Sequence, residues 1–419
     1  MARVFTHQSV DIDAATSVAA WRKFVDPEAE IVFVPANFDG SEMRDGDVAL
    51  DLNAGGRGIK GHYDGTVVNS CLALIVHDHC TESDKRALAP LVEFVNAQDA
   101  HGSAYRHLVP GMDKRVHNIL MHCGLNSTLR TLQRIFPNDD RIVVDRMSEI
   151  FTGLLAIGRG EVNTESHLDF VASVWAWRRL LKRTATLEEI RTRIAADRRD
   201  GHSCFTSLVL KSDTDSMEAL MSLMSFVDVS ASGDPFRHFL PEATEHALTV
   251  ISRCGLPEVV RAIEFVANGN EEQFFSRTAE VFDGMWQNGK GRRAAEEEAE
   301  KFAHGEVYEG RVVVVRNPRS IPTTITLLEE YRFEAVVFVD GMNLGVVRRG
   351  DLATRMDHPK IRAVVEGEEG WFFHLAGFMA ARGTRKSPAK TLSRVDPTAL
   401  VRAVLEVLKE KNPEAVHAA

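Results

Sequence analysis

No stretch of this chain approaches the roughly 20 consecutive apolar residues that a membrane span needs. The opening MARVFTHQ also lacks the basic-then-apolar layout of an export signal, so a cytoplasmic protein with no membrane partner is expected. Cysteine is scarce: Cys71, Cys80, Cys123, Cys204 and Cys254 are odd in number and form no CxxC pair. That argues against a disulfide framework and a thiolate zinc site. Positive charge is in deficit, with 50 lysines and arginines against 60 aspartates and glutamates for a net charge of −10. Bulk electrostatics therefore cannot draw a polyanion, and a phosphate ligand must meet a local basic patch. GxxxxGK[ST] and GxSxG are both missing, which leaves P-loop nucleotide hydrolysis without support.

What is present is an ordinary globular composition, 44% apolar and 26% charged over 419 residues, enough chain for two or three domains. Residues 1–107 alternate β-branched runs with helical spacing. RVFTH (3–7), IVFVPA (31–36) and VALDLN (48–53) read as strands, and 14–24, 69–77 and 84–94 as helices. This alternation predicts a parallel sheet with crossover helices. From 108 to 305 strand signals nearly vanish and amphipathic stretches follow one another, giving a helical middle region. Within it, KGRRAAEEEAEKF reads as a solvated helix end or a linker, and the Met-rich MEALMSLMSFV at 217–227 as core packing. Residues 306–419 return to strands (310–317, 334–341, 344–350) with a closing helix over 397–409, a smaller α+β domain. The fold class expected is α/β with these three parts, and no internal repeat is evident.

The chemistry-bearing residues gather where N-terminal strands should end. His7 closes the first strand, with Asp11 and Asp13 following in HQSVDID. Asp51 lies near the end of VALDLN, the loop AGGRGIKGHYDG delivers His62 and Asp64, and Asp99 follows in FVNAQDAHG. In an open parallel sheet, sites form beyond the carboxyl ends of the strands. One histidine with several carboxylates there is a mixed nitrogen and oxygen set suited to Mn²⁺, Mg²⁺, Co²⁺ or Fe²⁺. Two such ions would activate a water against a phosphoester. An aspartate after a strand also serves as a helix N-cap, and that alone accounts for Asp11 or Asp13. HDHC at 77–80 is set aside as a metal site, because four adjacent residues at a helix end point apart.

The ordered set His7-x3-Asp11-x-Asp13, Asp51, His62 and Asp99 resembles the DHH phosphoesterase superfamily. Its members include RecJ-type exonucleases, nanoRNases, family-II pyrophosphatases, cyclic-dinucleotide phosphodiesterases and the related Myg-type exonucleases. The resemblance covers roughly residues 3–102. It implies that His7, Asp11, Asp13, Asp51, His62 and Asp99 hold one or two Mn²⁺ ions, with Mg²⁺ or Co²⁺ as substitutes, and that Asp13, Asp51, His62 and Tyr63 take part in catalysis. The third motif departs from the family: Gly61-His62-Tyr63 stands in place of Asp-His-His, and tyrosine brings a hydrogen bond without a charge. Arg57 and Lys60 on the same loop are candidate replacement phosphate contacts.

The resemblance also implies a second lobe that closes over the substrate. GEEGWFFHLAGFMAARGTRKSP (367–388) is similar to the family's glycine-rich segment, with His374, Gly377, Arg382, Arg385 and Lys386 as substrate-binding candidates. Guanidinium forks and close backbone approach at glycine both suit phosphate. Arg316, Arg319, Arg348 and Arg349 are candidate extensions of this patch. The expected activity is hydrolysis of a nucleotide or short oligonucleotide phosphodiester, with homo-oligomerisation through the helical region. The alternatives are a pyrophosphatase-like small-phosphate hydrolase, or a catalytically altered protein that binds nucleotide and regulates.

Overall fold

The structure is a computed structural model that describes residues 2–63, 68–162, 167–183, 186–197, 203–212, 217–318, 321–350, 352–374 and 377–410. Its N-terminal sheet has four parallel strands, β1 (Arg3–His7), β2 (Glu30–Val34), β3 (Val48–Leu50) and β4 (Gly58–Ile59), in the order β2-β1-β3-β4. The β-branched strand residues favour the pleat. Helix α1 (Ile12–Phe24) crosses from β1 to β2, and its buried Ala14, Ala15, Ala19 and Ala20 let it lie close on the sheet. β2 stops before Pro35, which has no N–H to continue a ladder. β3 stops before Asp51, whose φ of 54° takes the chain out of the extended region.

A short antiparallel ribbon, β5 (His62–Tyr63) with β6 (Val68–Asn69), leads into helices α2 (Cys71–His79) and α3 (Glu82–His101). Their N-caps are Ser70 and Thr81, each accepting a backbone N–H with its hydroxyl. α3 is longer than the expected 84–94 and carries Asp99 in its last turn.

From Ala104 to Ala303 the described elements are all helices, with turns between them and an isolated bridge between Gly124 and Gly255. Of the two readings of KGRRAAEEEAEKF, helix end holds and linker does not: it forms the last turns of one 33-residue helix, Glu271–Ala303. Ala295 and Ala299, four residues apart, are buried beneath its charged face, and Ala299 packs with Val313 and Val315 of the following sheet. One hydrophobic core runs without a break from Val4 of the sheet to Met285 of the helical region.

The C-terminal sheet has six strands, β7 (Glu306–Tyr308), β8 (Val312–Arg316), β9 (Ala335–Asp340), β10 (Asn343–Arg348), β11 (Trp371–Phe373) and β12 (Met379–Arg382), in the order β11-β12-β10-β9-β8-β7. Only β8 and β9 pair in parallel, joined through the helix Ile321–Glu329. The closing helix Pro397–Lys409 starts from an Asp396 cap and packs on this lobe's own core. The α/β class with a helical middle and a C-terminal mixed sheet is thus the observed architecture. No described helix is long and apolar enough to cross a membrane.

Candidate metal centre

Because β1 and β3 are adjacent and parallel, their carboxyl ends present His7 and Asp51 side by side. His7 Nε2 lies 3.1 Å from Asp51 Oδ2 and 3.4 Å from Asp11 Oδ2. Ligand atoms of the three all fall within 4.8 Å of one another, the one such group among the described residues. The other His7 ring nitrogen, Nδ1, is 2.9 Å from the Gln8 carbonyl. Donation to that oxygen fixes the ring and turns Nε2 toward the carboxylates, the arrangement metal-binding histidines use.

Asp11 does both things the sequence left open. Its Oδ1 accepts the Ala14 N–H at 3.1 Å as the α1 N-cap, and its Oδ2 faces the cluster. Asp13, fully buried in the first turn of α1, lies beneath the trio. Its Oδ2 accepts from the Cys71 N–H (2.8 Å), and its Oδ1 from the Leu72 N–H (2.9 Å) and the Ser17 hydroxyl (3.1 Å). The geometry therefore sets Asp13 as a clamp on the start of α2, apart from the trio of ligand atoms. Asp99 reaches the same cavity from α3, and a Cβ built on Gly61 would stand 3.6 Å from its Oδ2. The side chains of His62 and Tyr63, and all of Asp64, lie outside the described residues. The backbone pairs His62 with Asn69 and Tyr63 with Val68.

The C-terminal lobe closes the cavity. Lys386 Nζ donates to Asp11 Oδ2 at 2.7 Å, and the Ala36 N–H donates to the Lys386 carbonyl at 2.9 Å. Phe372 and His374 line it from the same lobe, and the sequence candidate Lys60 lines it from the N-terminal loop, around a space of about 30 Å³, room for a single ion or water. The other candidates from this lobe are placed elsewhere. Arg385 bonds the Pro137 carbonyl and Asp140 Oδ2 (2.8 Å), tying the lobe to the helical region. Arg382 is buried and bonds the Glu369 and Thr391 carbonyls at 2.9 Å each. Gly377, at φ 69°, packs against Arg355. Arg57 donates to the Met43 and Arg44 carbonyls, and Arg316 pairs with Glu306. Arg319 lies outside the described residues. Sequence reasoning missed Phe372 and Asp140; only the proximity of Phe372 to His374 could have pointed to it.

The electrostatics fit a cation cage. Burial and the Lys386 charge oppose protonation of His7, but the carboxylates of Asp11 and Asp51 raise its pKa to about 9. Burial works against the Asp11 carboxylate, yet Lys386 and His7 hold it well below the ordinary range. Burial, with the charges of Asp51 and Asp99, pushes Asp13 well up. Burial and the charges of Asp51 and Asp11 bring Asp99 to about 7. Carboxylates that resist ionising together, beside a histidine drawn toward the cationic form, mark a site deficient in positive charge. A divalent cation would meet that deficit, and the donor set of one imidazole with oxygens suits a hard or borderline metal. His374 is the opposite case: burial, then the Lys386 charge, lowers it to about 3 and keeps it neutral.

No family profile and no curated protein matches this sequence. Among solved structures, RecJ from Thermus thermophilus in complex with Mg²⁺ aligns with a TM-score of 0.34 at 12% identity, covering 97% of this chain and 49% of that one. This chain thus spans about half the length of that protein. An uncharacterized protein from Helicobacter pylori G27 aligns with a TM-score of 0.26 at 11% identity, covering 97% of this chain and 99% of that one. Similarity this low assigns no activity, and the functional reading stands on the geometry of the site.

Proposed function

We propose that this chain is a metal-dependent phosphoesterase of the DHH type, acting on a nucleotide or short oligonucleotide, with residues 1–107 as the metal-binding part and 306–419 as the substrate-binding part. The observation that carries the reading is the convergence of His7 Nε2, Asp11 and Asp51 within 4.8 Å at the carboxyl edge of a parallel sheet. These three, with Asp99 and His62, would hold one or two ions, Mn²⁺ first and Mg²⁺ or Co²⁺ next. The bound metal would supply an activated water and charge stabilisation at the phosphate.

The chain's own residues divide the remaining work. Gln8 orients His7 through its carbonyl, and Asp13 fixes the start of α2 behind the cluster. Asp51 is held in a left-handed conformation by its N–H bond to the Ile59 carbonyl at 2.8 Å, which aims its carboxylate at His7. Lys386 brings a positive charge for a phosphate oxygen, and neutral His374 exchanges a hydrogen bond without adding charge. Tyr63 is the candidate donor to the leaving or attacking oxygen.

Manganese-loaded protein screened against short RNA, short DNA, dinucleotides and pyrophosphate should release product from at least one. Asp11→Asn and Asp51→Asn should lose bound metal and hydrolysis together, since each removes an anionic ligand at constant volume. Hydrolysis at the parental rate by either variant would overturn the reading. One observation favours a second reading, a nucleotide-binding module without turnover: the Lys386 ammonium already sits on the Asp11 oxygen a metal would take. In that case the wild type binds nucleotide without manganese, and Tyr63→His raises no hydrolysis.

A further inference from the structure

The helical region contains a duplication that the sequence alone conceals. Residues 103–160 and 234–291 align without a gap at a constant separation of 131, with 13 of 58 positions identical. YRHLVP (105–110) meets FRHFLP (236–241), and Cys123-Gly124-Leu125 meets Cys254-Gly255-Leu256. The elements match in order: short helices Ala104–Leu108 and Pro235–Phe239, then Lys114–Met121 and Glu245–Arg253, Leu125–Ile135 and Leu256–Ala267, and Asp140–Gly158 and Glu271–Ala303.

The match continues toward the N-terminus. Leu88, Leu91, Phe94 and Val95 of α3 correspond to Leu220, Leu223, Phe226 and Val227 of the helix Met217–Ser232, all buried. The Ser70 N–H donates to Asn96 Oδ1 at 2.8 Å, and the Ser203 N–H donates to Asp228 Oδ1 at 3.1 Å. DAATSVAAWRK (13–23) corresponds to DFVASVWAWRR (169–179). Asp13 Oδ1 takes the Leu72 N–H (2.9 Å) and the Ser17 hydroxyl (3.1 Å); Asp169 Oδ1 takes the Phe205 N–H (3.3 Å) and the Ser173 hydroxyl (3.4 Å). Shared caps and clamps at paired positions are more specific than shared helicity, since any amphipathic helix repeats its apolar stripe.

The copies pack as two protomers about a two-fold axis, in which residue i meets j and j meets i. The Leu125 N–H donates to the Cys254 carbonyl at 2.8 Å, and the Leu256 N–H to the Cys123 carbonyl at 2.9 Å. Arg146 Nε lies 2.9 Å from Glu280, and Arg277 Nε lies 3.0 Å from Glu149. A Cβ on Gly153 would meet Ala262 Cα at 2.4 Å, and a Cβ on Gly284 would meet Thr131 Cβ at 2.5 Å; positions 131 and 262 are themselves a pair.

The second copy differs in one respect. Between its counterparts of α1 and α2, where the first copy carries β2 to β6, the described residues hold only the helix Leu187–Asp197. Where the sheet would lie there is a cleft of about 460 Å³ lined by Phe170, Phe274 and Phe275. Their counterparts Ala14, Val143 and Val144 share a core with Val4 and Ile31 of the sheet. Among the described residues there are then no strand ends to present a histidine and a second carboxylate.

We propose that residues 168–291 are a second, sheetless copy of the helical layer of residues 12–160, a built-in partner that fills within one chain the two-fold face a companion subunit would take, and that has no metal centre of its own.

The test is a short bismaleimide applied to the full chain with Cys80→Ser, the remaining cysteines being buried. One variant carries Arg146→Cys with Glu280→Cys, the other the mirrored Glu149→Cys with Arg277→Cys. Both should close a linker within a single 46.6 kDa chain, read by mass spectrometry after denaturation. A linker joining two chains, or failure to link in either variant, overturns the pairing. The absence of a second centre rests on the metal reading above and is read separately by manganese titration. Asp169→Asn should bind manganese as the parent does, and Asp51→Asn should not. Loss in Asp169→Asn overturns the inference, whereas no loss in either variant overturns the metal reading and leaves the linkage result standing.

Discussion

The two halves of residues 12–291 carry the same helices, but among the described residues only the first carries a sheet, and the difference separates scaffold from chemistry. The Asp-to-N–H clamp behind α2 persists in both, as Asp13 and Asp169, although among the described residues only Asp13 lies beneath a cluster of ligand atoms. A feature kept where there is no site serves folding. A feature found once, such as His7 beside Asp51, serves the site. Aspartates two residues apart, Asp11 and Asp13, thus divide between the two tasks.

The largest expected contrast is between Asp11→Asn and the paired His167→Asn. The first should weaken manganese binding by more than about 100-fold, and the second should leave it unchanged, both by calorimetric titration. Next, Gly153→Val and Gly284→Val should each cost about 3 kcal/mol in urea unfolding, because the helices meet too closely for a side chain. Unequal losses would show that the two crossings are not equivalent.

His117 offers a sharper comparison, since its counterpart in the second copy is Leu248 and both are buried. Burial, then the charge of Arg106, lowers the His117 pKa to about 4. Above pH 6.5 the imidazole is neutral in the folded and unfolded chains alike, and the site has no pH cost. As pH falls from 6.5 toward 4, the unfolded chain takes up a proton that the folded chain refuses. Stability is then lost progressively, to a limit of roughly 3 kcal/mol. His117→Leu should remove that slope, seen by comparing urea midpoints of variant and parent at pH 4.5 and 7.5. The smallest effect is expected at the reciprocal ion pairs: Arg146→Glu should cost about 1 kcal/mol and be rescued by Glu280→Arg, with the mirrored pair behaving alike.

Much of the N-terminal lobe was legible because its signals are local. Period-two apolar runs placed β1 and β3, and parallel pairing then requires His7 and Asp51 to share an edge. The closing helix was read to the residue, since Asp396-Pro397 is a cap followed by a favoured first position. Contacts with no local signature were not legible. Lys386 meets Asp11 across 375 residues, and Arg382 and Lys386, four apart in a basic run, differ completely in burial partner. The duplication escaped because its identities are sparse, as at Gly124 and Gly255, and because the separation of paired positions changes along the chain, from 156 at Asp13 and Asp169 to 131 at Gly124 and Gly255.

In a dimer of identical chains every mutation near the symmetry axis is felt twice, and one that suits only one side is eliminated. Here the facing positions are encoded separately. Tyr105 rests against Gly124 while Phe236 rests against Gly255, so a hydroxyl could be gained or dropped on one side while the other stayed put. Each half of the pair can therefore be altered on its own while the other continues to supply its hydrophobic support.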